Sequence, residues 1–238
     1  MTGAWIEIAA PRLPTVRRIP LRATFVERLH RFAARCTLRG GREVLAHVPN
    51  PGRLTGVLAP RCQVLLDGPY PETRALAYTM VAAKTGGVWV GTNTLYANRV
   101  FPALVSHGLF PEFDGTSIRA EVVHGRSRFD FQVGGMMVEV KSVTLASGAA
   151  GLFPDAVSAR AARHCGELAA LAAAGHPAAI VFVAQRGDVE SVAPEDDVDP
   201  VFGIAIRRAA KAGVLVLACA LEIAPEGAAR ARRVAVPL

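Results

Sequence analysis

A glycine pair set inside an alternating stretch constrains this chain more than any other feature. Residues Ser127–Val133 and Met136–Lys141 both alternate apolar with polar side chains, and Gly134-Gly135 joins them. Glycines supply the positive φ angles of a tight primed turn, so the stretch predicts a β-hairpin with a two-residue loop. That loop sets the register: Val133 opposite Met136, Phe131 opposite Val138, and Asp130 opposite Glu139. Directly opposed residues hold their Cβ atoms roughly 4.5–5.5 Å apart. Alternation then puts Asp130, Gln132, Glu139 and Lys141 on one face, and Phe129, Phe131, Val133, Val138 and Val140 on the other.

Two opposed carboxylates repel, a cost that a divalent cation removes. Mg²⁺ takes one or two carboxylates and completes its shell with water and phosphate oxygens. Asp130 and Glu139 are therefore the candidate metal ligands, and Lys141 is placed to orient or deprotonate a metal-bound water. The alternative is a solvated amphipathic hairpin carrying a surface Lys–Glu pair. Lysine is scarce: of 27 basic residues only Lys84, Lys141 and Lys211 are lysines. A chain that otherwise uses arginine keeps at position 141 a compact charge whose pKa moves readily. Asp, a short hairpin, then Glu-Val-Lys resembles the (P)D…(D/E)xK signature of the restriction-endonuclease-like nucleases. Glu121, shortly before the hairpin, is a further candidate acid for the same site.

The charge is uneven. Residues 1–62 hold eleven arginines against Glu7, Glu27 and Glu43, while the rest of the chain is close to neutral. Such concentration is the footprint of a phosphate-backbone binder, or of a solubility charge. Arg22, Arg28, Arg42 and Arg53 are the candidate contacts in this region. Asn50 joins them from the stiff turn His47–Gly56, whose prolines and glycines fix its path. Residues 1–20 hold Pro11, Pro14 and Pro20 without periodicity and predict a loosely ordered basic arm carrying Arg12, Arg17 and Arg18.

From residue 21 to about 90, short apolar runs between Gly-, Pro- and Asn-rich turns predict five or six strands and a small barrel. An OB-like barrel suits a nucleic-acid binder; an SH3-like barrel fits the same pattern. A helix over about 95–108, interrupted by Pro102, opens a second domain spanning 91–238. There the order is helix, three strands, helix, strand, helix, strand, which fits an α/β layer with a mixed sheet. The helix after Lys141 is expected to start at Phe153-Pro154-Asp155, with Asp155 at its N-terminal end, and to end at Gly175. On it Arg160 and His164 lie four apart and are candidates for meeting substrate phosphate. Val214–Ile223 reads as the final strand. The four cysteines form no CxxC pair and read as thiols of a reducing compartment. No apolar run reaches 18 residues and no secretory pattern opens the chain, so a cytoplasmic protein without a membrane segment is expected. No Walker loop, GxGxxG, HExxH or GxSxG element occurs, and the sequence leaves oligomeric state open.

Several longer segments resemble the sugar fermentation stimulation protein A family: His47–Gly56, Val90–Arg99, Ser127–Phe131, Val138–Leu145 and Phe153–Val157. The resemblance spans roughly residues 21–238. It implies an N-terminal OB-like barrel followed by a restriction-endonuclease-like α/β domain, DNA binding, and a link to sugar-utilisation genes. Mapped on this chain, the superfamily's metal-binding acids are Asp130 and Glu139, its catalytic lysine is Lys141, and Glu121 is an additional acid; His164 is a further catalytic candidate from its place on the helix alone. The implied function is a DNA-binding nuclease using Mg²⁺ or Mn²⁺. The competing expectation is a DNA-binding regulator that keeps the fold without cleaving, and RNA suits such a barrel as well as DNA.

Overall fold

The computed structural model describes residues 3–8, 20–71, 73–113, 117–125, 127–225 and 227–238. Arg12, Arg17 and Arg18 lie outside the described residues. Residues 3–8 do not form a loose arm: β1 (Ile6–Glu7) pairs antiparallel with the last strand of the chain, Gly3 N–H donates to Arg233 O at 3.0 Å, and Ile8 is buried.

The barrel comprises β2 (Leu21–His30), β3 (Ala33–Leu38), β4 (Glu43–His47), β5 (Gln63–Asp67) and β6 (Tyr78–Thr85). Strand β2 pairs with both β3 and β5, β5 with β6, β3 with β4, and β4 closes the ring by running parallel to β6. Irregular register at Phe25/Glu27 and Arg28/His30 lets the long β2 curl around the barrel. This is an OB barrel, with Ala23, Phe25, Ala46, Val64, Leu66 and Met80 filling its interior. Leu54 and Val57, from the Pro-rich turn, pack into the same core.

Strand β7 (Val88–Gly91) leaves the barrel as a hairpin with β6 and touches the second sheet at one pair, Trp89 opposite Ile223. Next come α1 (Leu95–Ser106), β8 (Ile118–His124), β9 (Ser127–Val133) and β10 (Met136–Val143). A small side sheet of β11 (Leu145–Ser147) and β12 (Ala150–Phe153) follows, then α2 (Ala159–Ala173) and β13 (Ala178–Ala184). The chain finishes with β14 (Ser191–Pro194), which joins the side sheet, α3 (Pro200–Lys211), β15 (Leu215–Ala224) and β16 (Gly227–Arg233). In the second domain β10, β13 and β15 are parallel, whereas β8–β9–β10 and β15–β16–β1 are antiparallel. The mixed sheet is as expected. One face packs against α1 (Tyr96, Val100, Phe101, Leu104), the other against α2 and α3 (Leu168, Phe202, Ile206). Helix α1 continues through Pro102 because its apolar face is fully committed to that core.

Strand β15 is not the last, because β16 continues the sheet. Its arginines are held by neighbours: the Arg230 and Arg232 guanidinium carbons lie 5.5 and 5.0 Å from the Trp5 ring centroid, and Arg233 pairs with Glu112. Among the described residues no helix is long and apolar enough to cross a membrane.

Candidate active site

The hairpin forms with the expected start: Val133 opposite Met136, Gln132 opposite Met137, Phe131 opposite Val138. Gly134 alone takes a positive φ, 56°, which is what a II′ turn asks of its first central residue. The ladder then stops, so Asp130 does not face Glu139 as a ladder pair. Its Oδ2 instead accepts the Val140 backbone N–H at 2.8 Å, and its Oδ1 accepts Asn98 Nδ2 at 2.7 Å. On the outer side the β8–β9 ladder also skips this position, where Glu121 adopts φ 52°. The alternation resets at this fork. Phe131 and Val133 pack in the α1 core, whereas Phe129 lies in the α2 core, 5.7 Å from the His164 ring. Phe129 therefore does not share a face with Phe131.

Glu139 lies on β10 beside the fork, only 2% exposed. Its Oε1 accepts Lys141 Nζ at 2.6 Å. His164 Nδ1, from α2, lies 2.6 Å from the same oxygen, without in-line hydrogen-bond geometry. Oε2 of Glu139 is buried and has no partner. Burial, then the neighbouring Glu139 charge, push the Asp130 carboxyl above its usual range. Burial acts the same way on Glu139, but His164 and Lys141 outweigh it and hold that carboxyl below its usual range. Two carboxylates forced toward opposite protonation behaviour at one spot are a common mark of a functional site. Cys165, next to His164, is no nucleophile: burial pushes its thiol up to about 12. Asp130 and Glu139 are the carboxylates that a metal would use. Among the described residues no group of three His, Cys, Asp or Glu side chains is arranged to hold one.

Other expected residues divide. Glu121 is exposed and pairs with Arg128 at 3.5 Å, away from Glu139. Arg160 is exposed and does not join the buried His164. Arg28 is a structural clasp. Its Nη1 donates to Gly52 O (2.8 Å) and Arg53 O (2.7 Å), and its Nη2 to Asn50 O (2.9 Å) and Arg31 O. With those four N–H groups committed to carbonyls and its Nε buried, it has nothing to offer a phosphate. Arg22, Arg42 and Arg53 are exposed; Arg22 leans over Trp89 and Arg42 donates to Tyr78 Oη at 2.9 Å. Asn50 is buried, and its Oδ1 accepts Gly52 N–H at 2.8 Å, which shapes the turn.

Helix α2 starts at Ala159 with Ser158 as N-cap, its Oγ accepting Ala161 N–H at 3.2 Å. Asp155 does not cap it. Its Oδ2 accepts Leu54 N–H from the barrel turn at 3.2 Å, and a Cβ at residue 52 would overlap its carboxylate. Gly52 is therefore required by a close approach of the two domains. Asn98 is the site residue the sequence reading passed over. Its signal was an amide, a poor helix former, in a helix interior one turn after Thr94.

An OB barrel locked onto an α/β domain, with one buried and one half-buried carboxylate and a lysine at a strand fork, defines a two-domain OB–α/β protein with an acid–lysine site. The comparisons agree with that class. Residues 26–92 match the model described as the SfsA N-terminal OB domain, and residues 95–227 match the Sugar fermentation stimulation protein RE domain. A sugar fermentation stimulation protein homolog of Geotalea uraniireducens is 41% identical over 211 residues, covering 86% of this chain and 91% of that protein. One of Symbiobacterium thermophilum is 40% identical over 228 residues, covering 87% and 91%. The solved structure of Pyrococcus furiosus SfsA in complex with Ca²⁺ superposes with a TM-score of 0.84 at 26% identity, covering 96% of this chain and all of that one. The chain belongs to the sugar fermentation stimulation protein family.

Proposed function

We propose that the protein binds DNA and hydrolyses its phosphodiester bonds with a divalent metal, Mg²⁺ or Mn²⁺, held by Asp130 and Glu139. The observation that carries this reading is the buried, unpartnered Oε2 of Glu139 beside a second, half-buried carboxylate, that of Asp130. Leaving a charged acceptor unpaired is expensive, and a divalent cation held by Asp130 and Glu139 would remove that cost. Two carboxylates suffice for Mg²⁺, whose remaining positions go to water and phosphate oxygens. The Ca²⁺ complex of the Pyrococcus furiosus relative is in keeping with a divalent site. When bound, such an ion polarises the scissile phosphate and makes its water more acidic.

The chain's own groups have distinct tasks. Asn98 and the Val140 N–H fix Asp130. His164 and Lys141 together hold Glu139 in place. Lys141, half-buried, orients the attacking water and offsets charge growing on the phosphate oxygens. Hydrolysis joins the water oxygen to phosphorus, breaks the phosphorus–oxygen bond to the leaving sugar, and leaves that sugar oxygen protonated. Arg22, Arg42, Arg53 and Arg160, all exposed, supply the phosphate-backbone contacts, so binding falls steeply with salt.

A second reading, a DNA-binding regulator without cleavage, draws on the absence of a three-ligand cluster among the described residues. The test is cleavage of labelled single- and double-stranded DNA and RNA with Mg²⁺ or Mn²⁺, beside EDTA and the Asp130→Ala and Lys141→Ala proteins. Metal-dependent cutting lost in both variants is the expected result, and the substrate cut decides between DNA and RNA. Binding without cutting on every substrate would hand the fold to the regulator.

A further inference from the structure

A cleft of about 290 Å³ lies between the barrel turn and the α/β domain, lined by Arg31, Asn50, Thr94, Ser142, Thr144 and Ser158 among others. The Thr94 hydroxyl donates to Pro49 O at 3.3 Å and the Ser158 hydroxyl caps α2, while four other groups keep capacity to spare. Thr144 is only 4% exposed, yet its hydroxyl has no partner among the described residues. Asn50 is 3% exposed; its Oδ1 is taken by Gly52 N–H, and its amide NH₂ is left over as a donor pair. Ser142 Oγ accepts from Gln185 Nε2 at 2.7 Å, which leaves its own proton to donate. The Arg31 guanidinium is exposed and unpaired among the described residues.

The surrounding field favours an anion. Thr94 is the N-cap residue of α1, whose start carries roughly half a positive charge; at the start of α2 the Ser158 N–H is already given to Asp199 Oδ2 at 2.8 Å. The one acid in the lining, Asp155, is turned to the barrel turn through Leu54 N–H. The cleft shares β10 and the start of α1 with the acid–lysine site. Ser142 follows Lys141 on β10, and Thr94 sits one turn before Asn98, which holds Asp130.

Its size decides what can enter. About 290 Å³ falls just under the range of small-ligand pockets, roughly 300–1,000 Å³. A duplex whose major groove alone is about 12 Å wide does not fit. We propose that the cleft holds one phosphate-bearing nucleotide of a single nucleic-acid strand, beside the bond to be cut. This deepens the preceding reading and rests on it for the adjacent chemistry. A free nucleotide carries the same phosphate and base, so the test separates the two sources.

The experiment is calorimetric titration of the full chain in EDTA, so that no cleavage intrudes. Three ligands are compared: 5′-phosphorylated hexathymidylate, thymidine 5′-monophosphate and a covalently closed duplex dumbbell. The hexamer is expected to bind about tenfold more tightly than either of the others. Thr144→Val and Arg31→Ala should each weaken it about five- to tenfold, the scale of one ordinary hydrogen bond. Lys211→Ala removes a charge at the far end of α3 and serves as the control for net charge. Thermal melts verify that the variants fold.

Equal binding of the dumbbell, or unchanged binding by both cleft variants, would overturn the proposal. Monophosphate binding as tight as the hexamer would overturn the strand and assign the cleft to free nucleotides. A protein that cuts nothing but binds the hexamer through these residues keeps this inference and loses the nuclease. One that cuts while ignoring both substitutions does the reverse.

Discussion

Arg28 and Lys141 are both basic residues in polar clusters, yet the structure uses them in opposite ways. Around Arg28, four guanidinium N–H groups meet four backbone carbonyls and stiffen the barrel turn. Around Lys141, one ammonium and one imidazole crowd a single carboxylate oxygen while its twin has no partner. A cation whose donors are spent on carbonyls shapes the fold. A carboxylate that keeps an open acceptor in a dry site is still waiting for chemistry. The number of basic residues says nothing about which of these a given one is; the remaining valence does.

The comparison can be broken at either end. The largest effect is expected at the acid–lysine site: Lys141→Ala and Asp130→Ala should each lower the metal-dependent cleavage rate about 10²–10⁴-fold. Single-turnover assays read that loss directly. If folding rather than chemistry explains it, denaturant midpoints will fall in parallel with rate.

Arg28→Met should act on stability alone. It removes charge-assisted bonds to four turn carbonyls, part of which water replaces, for a loss of about 2–3 kcal/mol by urea unfolding. The salt dependence of DNA binding should stay unchanged. A flatter salt slope would make Arg28 a phosphate contact after all.

A smaller effect is expected at Arg186 and Asp188, a bidentate pair at 2.7 Å in which Arg186 also donates to Thr144 O. The hydrogen bonds from Arg186 hold the Asp188 carboxyl below its usual range. A carboxyl depressed in the fold adds stability above its unfolded pKa, about 3.9, and that stability is lost as pH falls through the lower folded value. Asp188→Asn should therefore cost about 1–2 kcal/mol near neutrality and give a shallower loss between pH 4 and 2 than the wild type. Urea melts across that range measure both.

The smallest change in stability, within about 0.5 kcal/mol, is expected for Arg53→Ala, whose side chain is exposed. If Arg53 touches one phosphate, the slope of log affinity against log salt should drop by about 0.7–0.9. No change in slope would remove it from the interface.

The barrel was legible because turn residues punctuate it: Gly40-Gly41, Pro49 to Gly52, Gly68-Pro69 and Gly86-Gly87 each fall between observed strands. The hairpin register was legible for three pairs because Gly134-Gly135 fixes loop length. The fork at Asp130 was not, since it depends on Asn98, brought in by a helix 32 residues upstream. No local pattern encodes that meeting. Helix α2 was placed early because Asp155 and Ser158 are equally good caps in sequence; the barrel turn claims one and leaves the other. Strands β1 and β16 escaped notice because a two-residue strand and an Arg/Ala/Gly strand lack alternation. Their pairing is decided by the open edge of β15 and by Trp5 beneath the arginines.

Strand β7 shares one ladder with the barrel through β6 and meets the α/β sheet at the Trp89–Ile223 pair. Asp155 bridges the same two bodies through Leu54 N–H, Thr94 N–H donates to Pro49 O, and Leu65, Val81 and Ala82 of the barrel share a core with α1. Tied in these ways, the halves should lose structure together, as one cooperative melting unit. Gly52→Ala, which sets a methyl against the Asp155 carboxylate, is the change that should split a single calorimetric transition into two.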